Sequence, residues 1–538
     1  MLLLCYAGAL IGLRSWGRVA TWDLVVSYIP QTPMLLEVLG LPPAAVAVLG
    51  AVLLAALLAG AWIHGRALDS AVPAAERLPR RWIAFGPPVL LAAIGINLHE
   101  IFVLPPTLAQ EPISLIFVPG EAGALRMQSH GVDRAAAARR DAAEDAERAA
   151  YQTAATSARR NLFLIVSDAL RADHMSVYGY PRETTPNLSR LVASGQARVA
   201  PMVRATCSES VCGLLSLAAS RYVHQFSGRM FLLQEVLARH GYRTEMIMGG
   251  DHTHFYGLRE SYGSVDSYFD ASSAGQKYMN DDAVVLDRLS SMPAWDGRPV
   301  MIQFHLMSSH LLGTRQEQHA VFRPAANYFF PANRMENGMP SPKAINFYDN
   351  GVRQADAVVM GILERLRAKG YLDDALVAVT GDHGEGLGEH GYWSHQRGVN
   401  DEVLGVPLVL VDFGPGSRGA LDANPSPAQA DIAPTLLHDL GLPIPRTWSG
   451  RPLQVAPFEE FAYFTQGPLA GLLDRRDRAH QWKYWEDRES GTAHAYDLST
   501  DPGESRDVIG SVPEALRREW QGRMFQVNAQ YLRVPGTR

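Results

Sequence analysis

An uncharged apolar segment of 20 residues, Ala44–Ile63, is the feature that most limits what this chain can fold into. At about 1.5 Å of rise per residue, a helix of that length crosses the hydrocarbon layer of a bilayer. A second apolar segment, residues 82–104, is interrupted by Pro87-Pro88. The two segments predict transmembrane helices within a membrane region that covers residues 1–104.

The charges beside these segments predict their orientation. The loop between them, His64–Arg81, holds four arginines, whereas Pro105–Ser114 contains no lysine or arginine. Cytoplasmic loops of membrane proteins are enriched in lysine and arginine. We therefore expect a multi-pass protein of a bacterial inner membrane, in contact with the lipid bilayer, whose chain lies in the periplasm after residue 105.

The remaining sequence divides into a linker and a soluble part. Arg134–Arg160 contains no glycine or proline and is rich in alanine and charged residues, which predicts a mostly solvated helix within a linker at 105–160. A core domain is expected at 161–445 and a small C-terminal α+β subdomain at 446–538. The net charge of -6 argues against a nucleic-acid partner, because binding nucleic acid requires a basic surface.

Short apolar runs in the soluble part predict buried strands. Asn161–Ser167, Val300–Met307 and Ala375–Thr380 are such runs, and a helix is expected near Asn346–Lys369 between the last two. Alternating strands and helices favour a mostly parallel sheet that is covered by helices on both faces. The fold class is therefore predicted to be α/β, and ligands of such sheets bind beyond the carboxyl ends of the strands.

Polar side chains follow three of these predicted strands. Asp168 comes directly after the first, His310 follows the second, and Asp382-His383 follow the third. Because the carboxyl ends of parallel strands meet at one edge of a sheet, Asp168, Asp382 and His383 predict a site for a divalent cation. The oxygen ligands suit calcium or magnesium, and the imidazole suits zinc or manganese.

The motifs around these residues resemble the sulfatase family of the alkaline-phosphatase superfamily. The resemblance rests on NLFLIVSDALRADHMSVYGYPRETTPNLSRLVASG from residue 161, VTGDHGEGLGEHG from residue 379, DIAPTLLHDLG from residue 431 and YDLSTDPGESRDV from residue 496. It implies an alkaline-phosphatase-like fold and one divalent metal ion, calcium by the family pattern. It also implies an anionic sulfate or phosphate ester as the substrate.

The resemblance also implies the catalytic residues. In that family a nucleophile at the start of a helix binds the metal and attacks sulfur or phosphorus. Cys207 matches this position as nucleophile and metal ligand, and Ser208 is the alternative if the register differs by one residue. Cys212 is expected to point away from Cys207, since both are placed on one helix, and no disulfide framework is expected from three cysteines. His310 and His395 are predicted to protonate the leaving oxygen or to bind the charged oxygens.

The sequence at Cys207 departs from the usual sulfatase motif, C-x-P-S-R. Glu209 replaces the proline and Val211 replaces the arginine, which argues against oxidation of Cys207 to formylglycine. These departures, together with the N-terminal apolar segments, resemble the membrane-anchored phosphoglycerol and phosphoethanolamine transferases of the superfamily. That branch implies a phospholipid donor from the adjacent bilayer.

Three functions remain open from the sequence. The preferred one is a membrane-anchored metalloenzyme that hydrolyses a sulfate or phosphate ester, on a phospholipid or a glycan, outside the cytoplasm through a covalent intermediate. The second is a phosphoglycerol or phosphoethanolamine transferase. The third is a catalytically silent binding protein, which the altered motif at Cys207 suggests and the complete set of Asp168, Asp382 and His383 opposes.

Overall fold

The protein divides into two compact units, Met1–Ala122 and Gly123–Arg538. The computed structural model describes residues 22–42, separate positions between 44 and 66, residues 134–153, and residues 160–529 apart from 255–256, 276, 415–418, 422–423, 425 and 478–479. The first unit contains helices α1 (Trp22–Tyr28) and α2 (Thr32–Val38). Within these described ranges, no helix is both long enough and apolar enough to cross a membrane. The predicted span at 82–104 lies outside the described residues, and the one at 44–63 is described only in part.

The second unit contains alternating strands and helices. Its strands are β1 (Asn161–Ser167), β2 (Ala197–Val199), β3 (Val203–Arg204), β4 (Arg243–Met248), β5 (Ser267–Asp270), β6 (Val300–Leu306), β7 (Met335–Glu336), β8 (Met339–Pro340), β9 (Ala375–Gly381), β10 (Gly386–Leu387), β11 (Trp393–Ser394), β12 (Gly405–Val406), β13 (Leu408–Phe413), β14 (Phe461–Gln466), β15 (Leu469–Asp474), β16 (Trp482–Asp487) and β17 (Ala493–Asp497). Its helices are α3 (Arg134–Ala150), α4 (Pro186–Ala193), α5 (Ser210–Ala219), α6 (Leu233–Arg239), α7 (Leu258–Ser261), α8 (Ala283–Ser290), α9 (Pro342–Ala368), α10 (Asp401–Leu404), α11 (Ile432–Asp439) and α12 (Glu514–Ala529).

A seven-stranded sheet forms the centre of this unit, in the order β2-β13-β9-β1-β6-β4-β5. The strands from β9 to β5 are parallel to one another, and β13 is antiparallel to both of its neighbours. The prediction of a mostly parallel sheet is confirmed, and the predicted strands β1, β6 and β9 are its three central members. Because these strands point the same way, the loops that follow them converge at one edge of the sheet.

The central strand β1 shows why both faces of the sheet are covered. All seven of its residues are buried. Leu162, Leu164 and Val166 pack in the core that contains α5, whereas Phe163 and Ile165 pack in the core that contains α9. Full burial of a side chain of this size contributes about 1.5–3 kcal/mol. A strand that is buried on both faces is therefore apolar throughout and does not alternate with polar residues.

Helix α3 packs against the rest of the second unit, and Glu144 is the one buried residue among its described residues. Arg221 donates to Oε1 of Glu144 at 2.6 Å, and Glu144 is buried. Arg148 donates to Oε1 of Glu235 at 2.8 Å and to the carbonyl oxygen of Met230 at 2.6 Å. The composition predicts the helix correctly, but these distant partners determine which of its charges are buried.

A second sheet, of four antiparallel strands in the order β14-β15-β16-β17, lies in the C-terminal part. Helix α12 packs on it through the fully buried Trp520, whose ring centroid is 5.3 Å from that of Tyr484. Lys483 of β16 is fully buried, and its Nζ donates to Oδ1 of Asp401 at 2.8 Å and to Oε1 of Glu504 at 2.6 Å. Since Asp401 begins α10, a buried ion-pair network connects the second sheet to the rest of the unit.

Candidate active site

Asp168, Asp382 and His383 meet beyond the carboxyl edge of the central sheet. Asp168 follows β1, and Asp382 and His383 follow the neighbouring strand β9. All three are buried, and one ligand atom of each lies within 4.8 Å of the others. Nε2 of His383 is 3.7 Å from both Oδ1 of Asp168 and Oδ2 of Asp382. Atoms at this spacing fit a cation about 2.1 Å from each of them.

Hydrogen bonds orient these side chains so that one atom of each remains for a ligand. Oδ1 of Asp382 accepts from the backbone N–H groups of Ala169 at 3.1 Å and His383 at 2.9 Å. Nδ1 of His383 lies 2.8 Å from the carbonyl oxygen of Gly384, which assigns the proton to Nδ1 and the lone pair to Nε2. Oδ1 of Asp168 and Oδ2 of Asp382 are buried and have no hydrogen-bond partner among the described residues. This donor set therefore fits a divalent cation.

The charges of the site also favour a cation. Burial, and then the negative charges of Asp382 and Glu385, raise the pKa of Asp168 well above its usual value. Burial alone would raise the pKa of Asp382, but His383 and His305 outweigh it and lower that pKa. Two buried carboxylates at this separation repel each other unless a positive charge lies between them.

The hydroxyl group of Ser210 lies beside this metal group. Its Oγ is 3.2 Å from Nε2 of His383 and 3.4 Å from Oδ2 of Asp168, and the residue is 1% exposed. Ser210 is the first residue of α5, so its hydroxyl lies at the positive end of a ten-residue helix dipole. Next to a cation and a helix N-terminus, a serine hydroxyl can act as an activated nucleophile.

Cys207 and Ser208, the two nucleophiles predicted from the sequence, contact other groups. Cys207 forms a disulfide with Cys212, and their Cα atoms are 6.3 Å apart. The buried Ser208 donates its hydroxyl to the carbonyl oxygen of Gly398 at 3.1 Å and its N–H to Oε1 of Gln466 at 3.2 Å. The sulfur of Cys207 is thus already bonded, and no contact among the described residues joins Cys207 or Ser208 to the metal group. The role of Cys207 as nucleophile and metal ligand stays a prediction.

The start of α5 explains why Cys207 is bonded to Cys212. The helix begins at Ser210, so Cys207 precedes it and the chain folds back to bring its sulfur to Cys212 in the first turn. The prediction that Cys212 points away from Cys207 is wrong, because it placed both cysteines on one helix. The sequence held a signal for the pairing, namely two cysteines in a segment expected outside the cytoplasm, where disulfides are stable.

His310 and His395 adjoin the metal group, as predicted residues of the same site. The ring centroid of His395 is 4.3 Å from that of His383 and 5.5 Å from that of His310. Burial alone would lower the pKa of His395, but Glu385 accepts from its Nδ1 at 2.8 Å and raises it. Burial, and then the neighbouring His395 and His383, lower the pKa of His310 well below its usual value. The two imidazoles therefore differ in proton affinity, with the pKa of His395 above its usual value and that of His310 below it.

Glu385 and His305 belong to the site but were not selected from the sequence. Glu385 is fully buried and accepts at Oε1 from the hydroxyl of Tyr328 at 2.9 Å, in addition to its contact with His395. The fully buried His305 places Nε2 at 3.5 Å from Oδ2 of Asp382. An acid in the glycine-rich run after Asp382 was an available signal, whereas a histidine inside an apolar strand has no distinguishing pattern.

A glycine allows α5 to approach the metal ligands closely. A Cβ atom built on Gly213 would lie 2.4 Å from the carbonyl oxygen of Asp382 and 3.0 Å from its carbonyl carbon. Helix α5 therefore packs directly on the backbone that carries this ligand. Ser210 lies one turn earlier on the same helix, so this contact helps to set the distance between the hydroxyl and the metal group.

The sulfatase family model matches residues 160–442 of the chain. Arylsulfatase K of Bos taurus is 29% identical over 184 residues, which are 31% of this chain and 34% of that protein. The Kdo(2)-lipid A phosphoethanolamine 7''-transferase of Salmonella typhimurium is 23% identical over 257 residues, which are 46% of this chain and 43% of that protein. The chain thus matches about a third of the length of the first relative and less than half of the second.

A solved structure shares the fold at low sequence identity. The structure of BT1596, a 2-O GAG sulfatase, superposes with a TM-score of 0.53 and 14% identity over 69% of this chain and 93% of that one. The family model covers more than half of the chain and ends three residues after α11. The protein is therefore an enzyme of the sulfatase family, with an alkaline-phosphatase-like α/β fold.

Proposed function

We propose that this enzyme transfers a phosphoryl-linked group through Ser210 rather than cleaving sulfate esters through a modified Cys207. The observation that carries the proposal is the position of the Ser210 hydroxyl, 3.2 Å from Nε2 of His383 and 3.4 Å from Oδ2 of Asp168. Cys207, the residue at which the resemblance implies formylglycine, is bonded to Cys212. An unmodified hydroxyl beside the metal ligands suits attack on phosphorus and a covalent intermediate in which Ser210 carries the phosphoryl-linked headgroup.

The residues of the site take different roles in such a reaction. A divalent cation on Asp168, Asp382 and His383 would lower the pKa of the adjacent hydroxyl and screen the anionic oxygens of the substrate. The oxygen of Ser210 forms a bond to phosphorus as the bond to the leaving oxygen breaks. His395, whose pKa is raised, donates a proton to that leaving oxygen, and Asp168, whose Oδ2 accepts from the Ser210 hydroxyl at 3.4 Å, is the base within reach of the proton that Ser210 gives up.

The second step resolves the intermediate. An acceptor hydroxyl, or water, attacks the phosphorus of phospho-Ser210 and regenerates the serine. The same two groups then act in reversed roles, because the acid of the first step has become the base of the second. A phospholipid is the donor that we favour, since the predicted membrane region would hold the domain beside a bilayer and a phosphoethanolamine transferase is among the relatives.

Sulfate-ester hydrolysis is the second candidate. The family model and the arylsulfatase K relatives favour it. It requires that Ser210, and not Cys207, carries the reaction or is itself modified, because the sulfur of Cys207 is in a disulfide.

The test is mass spectrometry of the full chain after incubation in vesicles of phosphatidylethanolamine and phosphatidylglycerol. We expect a phosphoethanolamine or phosphoglycerol adduct on Ser210 and release of diacylglycerol, both lost in Ser210→Ala. Ser208→Ala is the matched control and should keep both signals, because the Ser208 hydroxyl donates to Gly398 and not to the metal group. Release of sulfate from an aryl sulfate, without diacylglycerol, would instead support the second candidate. No turnover of either substrate and no bound metal would support a catalytically silent binding protein.

A further inference from the structure

The guanidinium group of Arg315 is a cation without an ion pair beside the active site. It donates to three carbonyl oxygens, from Nε to Phe347 at 3.0 Å, from Nη1 to Gly313 at 2.9 Å and from Nη2 to His310 at 3.1 Å. Among the described residues, no carboxylate lies within 4 Å of this group and no other acceptor bonds to it. An arginine side chain has five N–H groups. Two of them therefore remain for solvent or for a ligand.

Arg315 keeps its charge at neutral pH. Burial lowers the pKa of Arg315 to about 10, which still leaves the group protonated. Four neighbouring acidic groups oppose this effect but form no hydrogen bond or ion pair with it, namely Tyr328, Tyr348, Asp282 and Glu385. Arginine is seldom withdrawn from water without a paired acid. An arginine in this state therefore calls for a functional explanation.

The contacts of Arg315 fix the loop that follows β6. Two of the three carbonyl oxygens belong to this loop, and the third belongs to α9. The Cζ atom lies 4.2 Å from the centroid of the Phe347 ring, also on α9. A Cβ atom built on Gly351 would lie only 2.8 Å from the same Cζ atom, so this glycine makes room for the guanidinium group. Arg315 thus joins the loop that carries His310 to a 27-residue helix.

The loop presents the ring of His310 to the site in a defined orientation. Nδ1 accepts from the backbone N–H of Leu312 at 3.3 Å, which assigns the proton of the neutral ring to Nε2. No described residue forms a hydrogen bond with Nε2, and the ring centroid is 5.5 Å from that of His395. The Nε2–H group is therefore available to an anionic oxygen, and the bond from Arg315 to the carbonyl oxygen of this residue helps to hold it there.

The charges around the site explain the need for another cation. Asp168, Asp382 and Glu385 are buried, and each would repel an anionic ester. The two neighbours of the proposed nucleophile, Glu209 and Val211, supply no positive charge. Besides the divalent cation and the imidazoles, the guanidinium group of Arg315 is the positive charge that offsets this repulsion.

We propose that Arg315 is a positioning residue of the active site, which holds His310 for contact with the substrate and attracts the anionic oxygens of the ester toward the metal group. This inference deepens the proposed function and rests on it, since it takes the substrate to be an anionic phosphodiester. It names negative charge on the ester as a feature that the site selects.

The first experiment tests the charge without measuring turnover. Inorganic phosphate is titrated calorimetrically into the full chain in the presence of Mn²⁺. Arg315→Met removes the charge and keeps an unbranched side chain over Phe347, and it should weaken phosphate binding on the order of tenfold. Arg315→Lys keeps the charge and should bind phosphate nearly as well as the wild type.

The matched control is Arg367→Met. Arg367 is an exposed arginine of α9 whose Cζ atom lies 5.5 Å from the centroid of the Phe413 ring, so the substitution removes the same charge and the same kind of ring contact. It should leave the affinity for phosphate unchanged. Wild-type affinity in Arg315→Met, or an equal loss in Arg367→Met, would overturn the charge role.

The second experiment measures kcat and KM with a soluble phosphodiester. The single ammonium group of Arg315→Lys does not reproduce the planar fork that spans three carbonyl oxygens. Its kcat should therefore fall on the order of tenfold with little change in KM, whereas Arg315→Met should also raise KM. A wild-type kcat in Arg315→Lys would overturn the positioning of His310.

Two outcomes separate this inference from protein folding and from the proposed function. If Arg315→Met does not fold, Arg315→Gln tests the same loss of charge, because its amide still donates to a carbonyl oxygen. If the wild type turns over no phosphodiester, the proposed function fails, and the phosphate titration still decides the charge role of Arg315.

Discussion

The substitution Gly213→Ala tests whether the packing of α5 sets the geometry of the site. The added Cβ would lie 2.4 Å from the carbonyl oxygen of Asp382. Non-bonded contacts of this type are favourable at about 3.5 Å, so the helix or the ligand loop must move by about 1 Å. A displacement of that size in a reacting group costs about 100-fold in rate.

The same substitution has a smaller effect on stability. Overpacking of a core costs about 1–3 kcal/mol, and replacement of a helical glycine by alanine returns about 0.5–1 kcal/mol. We therefore expect the free energy of unfolding to fall by about 1–2 kcal/mol. The protein should fold, but turnover through Ser210 should fall about 100-fold and the metal should bind more weakly.

The assay combines turnover of a soluble phosphodiester, calorimetric titration of the divalent cation and urea unfolding. Gly522→Ala is the matched control, because Gly522 is also helical and a Cβ there would meet no atom within 4 Å. That variant should keep full activity and gain a little stability. Wild-type turnover and metal affinity in Gly213→Ala would refute the idea that this contact positions Ser210.

Three further predictions concern metal, disulfide and pH. A chelator should lower the Tm of the wild type, because a ligand at 100 times its Kd stabilises by about 2.7 kcal/mol. It should leave the Tm of Asp382→Asn unchanged. The opposite pattern would show that the cation binds elsewhere. Cys212→Ser opens a loop of six residues, so it should lower the free energy of unfolding by about 2 kcal/mol and slow turnover. A reductant should have the same two effects on the wild type and no effect on this variant. The hydrogen bond with Glu402 raises the pKa of His390 to about 9, so the folded state gains stability that is complete below pH about 6.5 and is lost as the pH rises through 9. This shift is at most about 3 kcal/mol and about 1–2 kcal/mol after solvent screening, and urea unfolding should show His390→Gln to be destabilised in acid but equal to the wild type above the folded pKa.

The sequence predicts the parts of the site that are fixed by strand ends. Asp168, Asp382 and His383 follow buried parallel strands, and the geometry of such a sheet forces their loops together. His310 and His395 were selected by the same logic and a family pattern, and both adjoin His383 or its neighbours. Local apolar runs predict where these strands begin and end, because a strand that is buried on both faces of a sheet must consist largely of apolar residues.

The sequence does not predict the parts that depend on a helix boundary or on a distant partner. The proposed nucleophile is Ser210 and not Cys207 because α5 begins at Ser210, three residues after the cysteine. Boundaries of this kind are uncertain by several residues when read from sequence. The burial of Glu144 depends on Arg221, and no local pattern in α3 encodes that partner.

The buried Lys483 links the C-terminal sheet to the segment that precedes Ser210. The acid that it neutralises, Asp401, also accepts from Arg204, which ends the strand just before the nucleophile loop. Gln466 of β14 accepts from Ser208 and donates to Glu209, on either side of the peptide that leads into Ser210. A chain cut near residue 445 would thus remove the ammonium group that contacts Asp401 and the amide that holds Ser208 and Glu209, the two residues before Ser210. The contacts of the segment before Ser210 thus extend from the core domain into the C-terminal sheet. Chimeras made between relatives should therefore exchange both regions together.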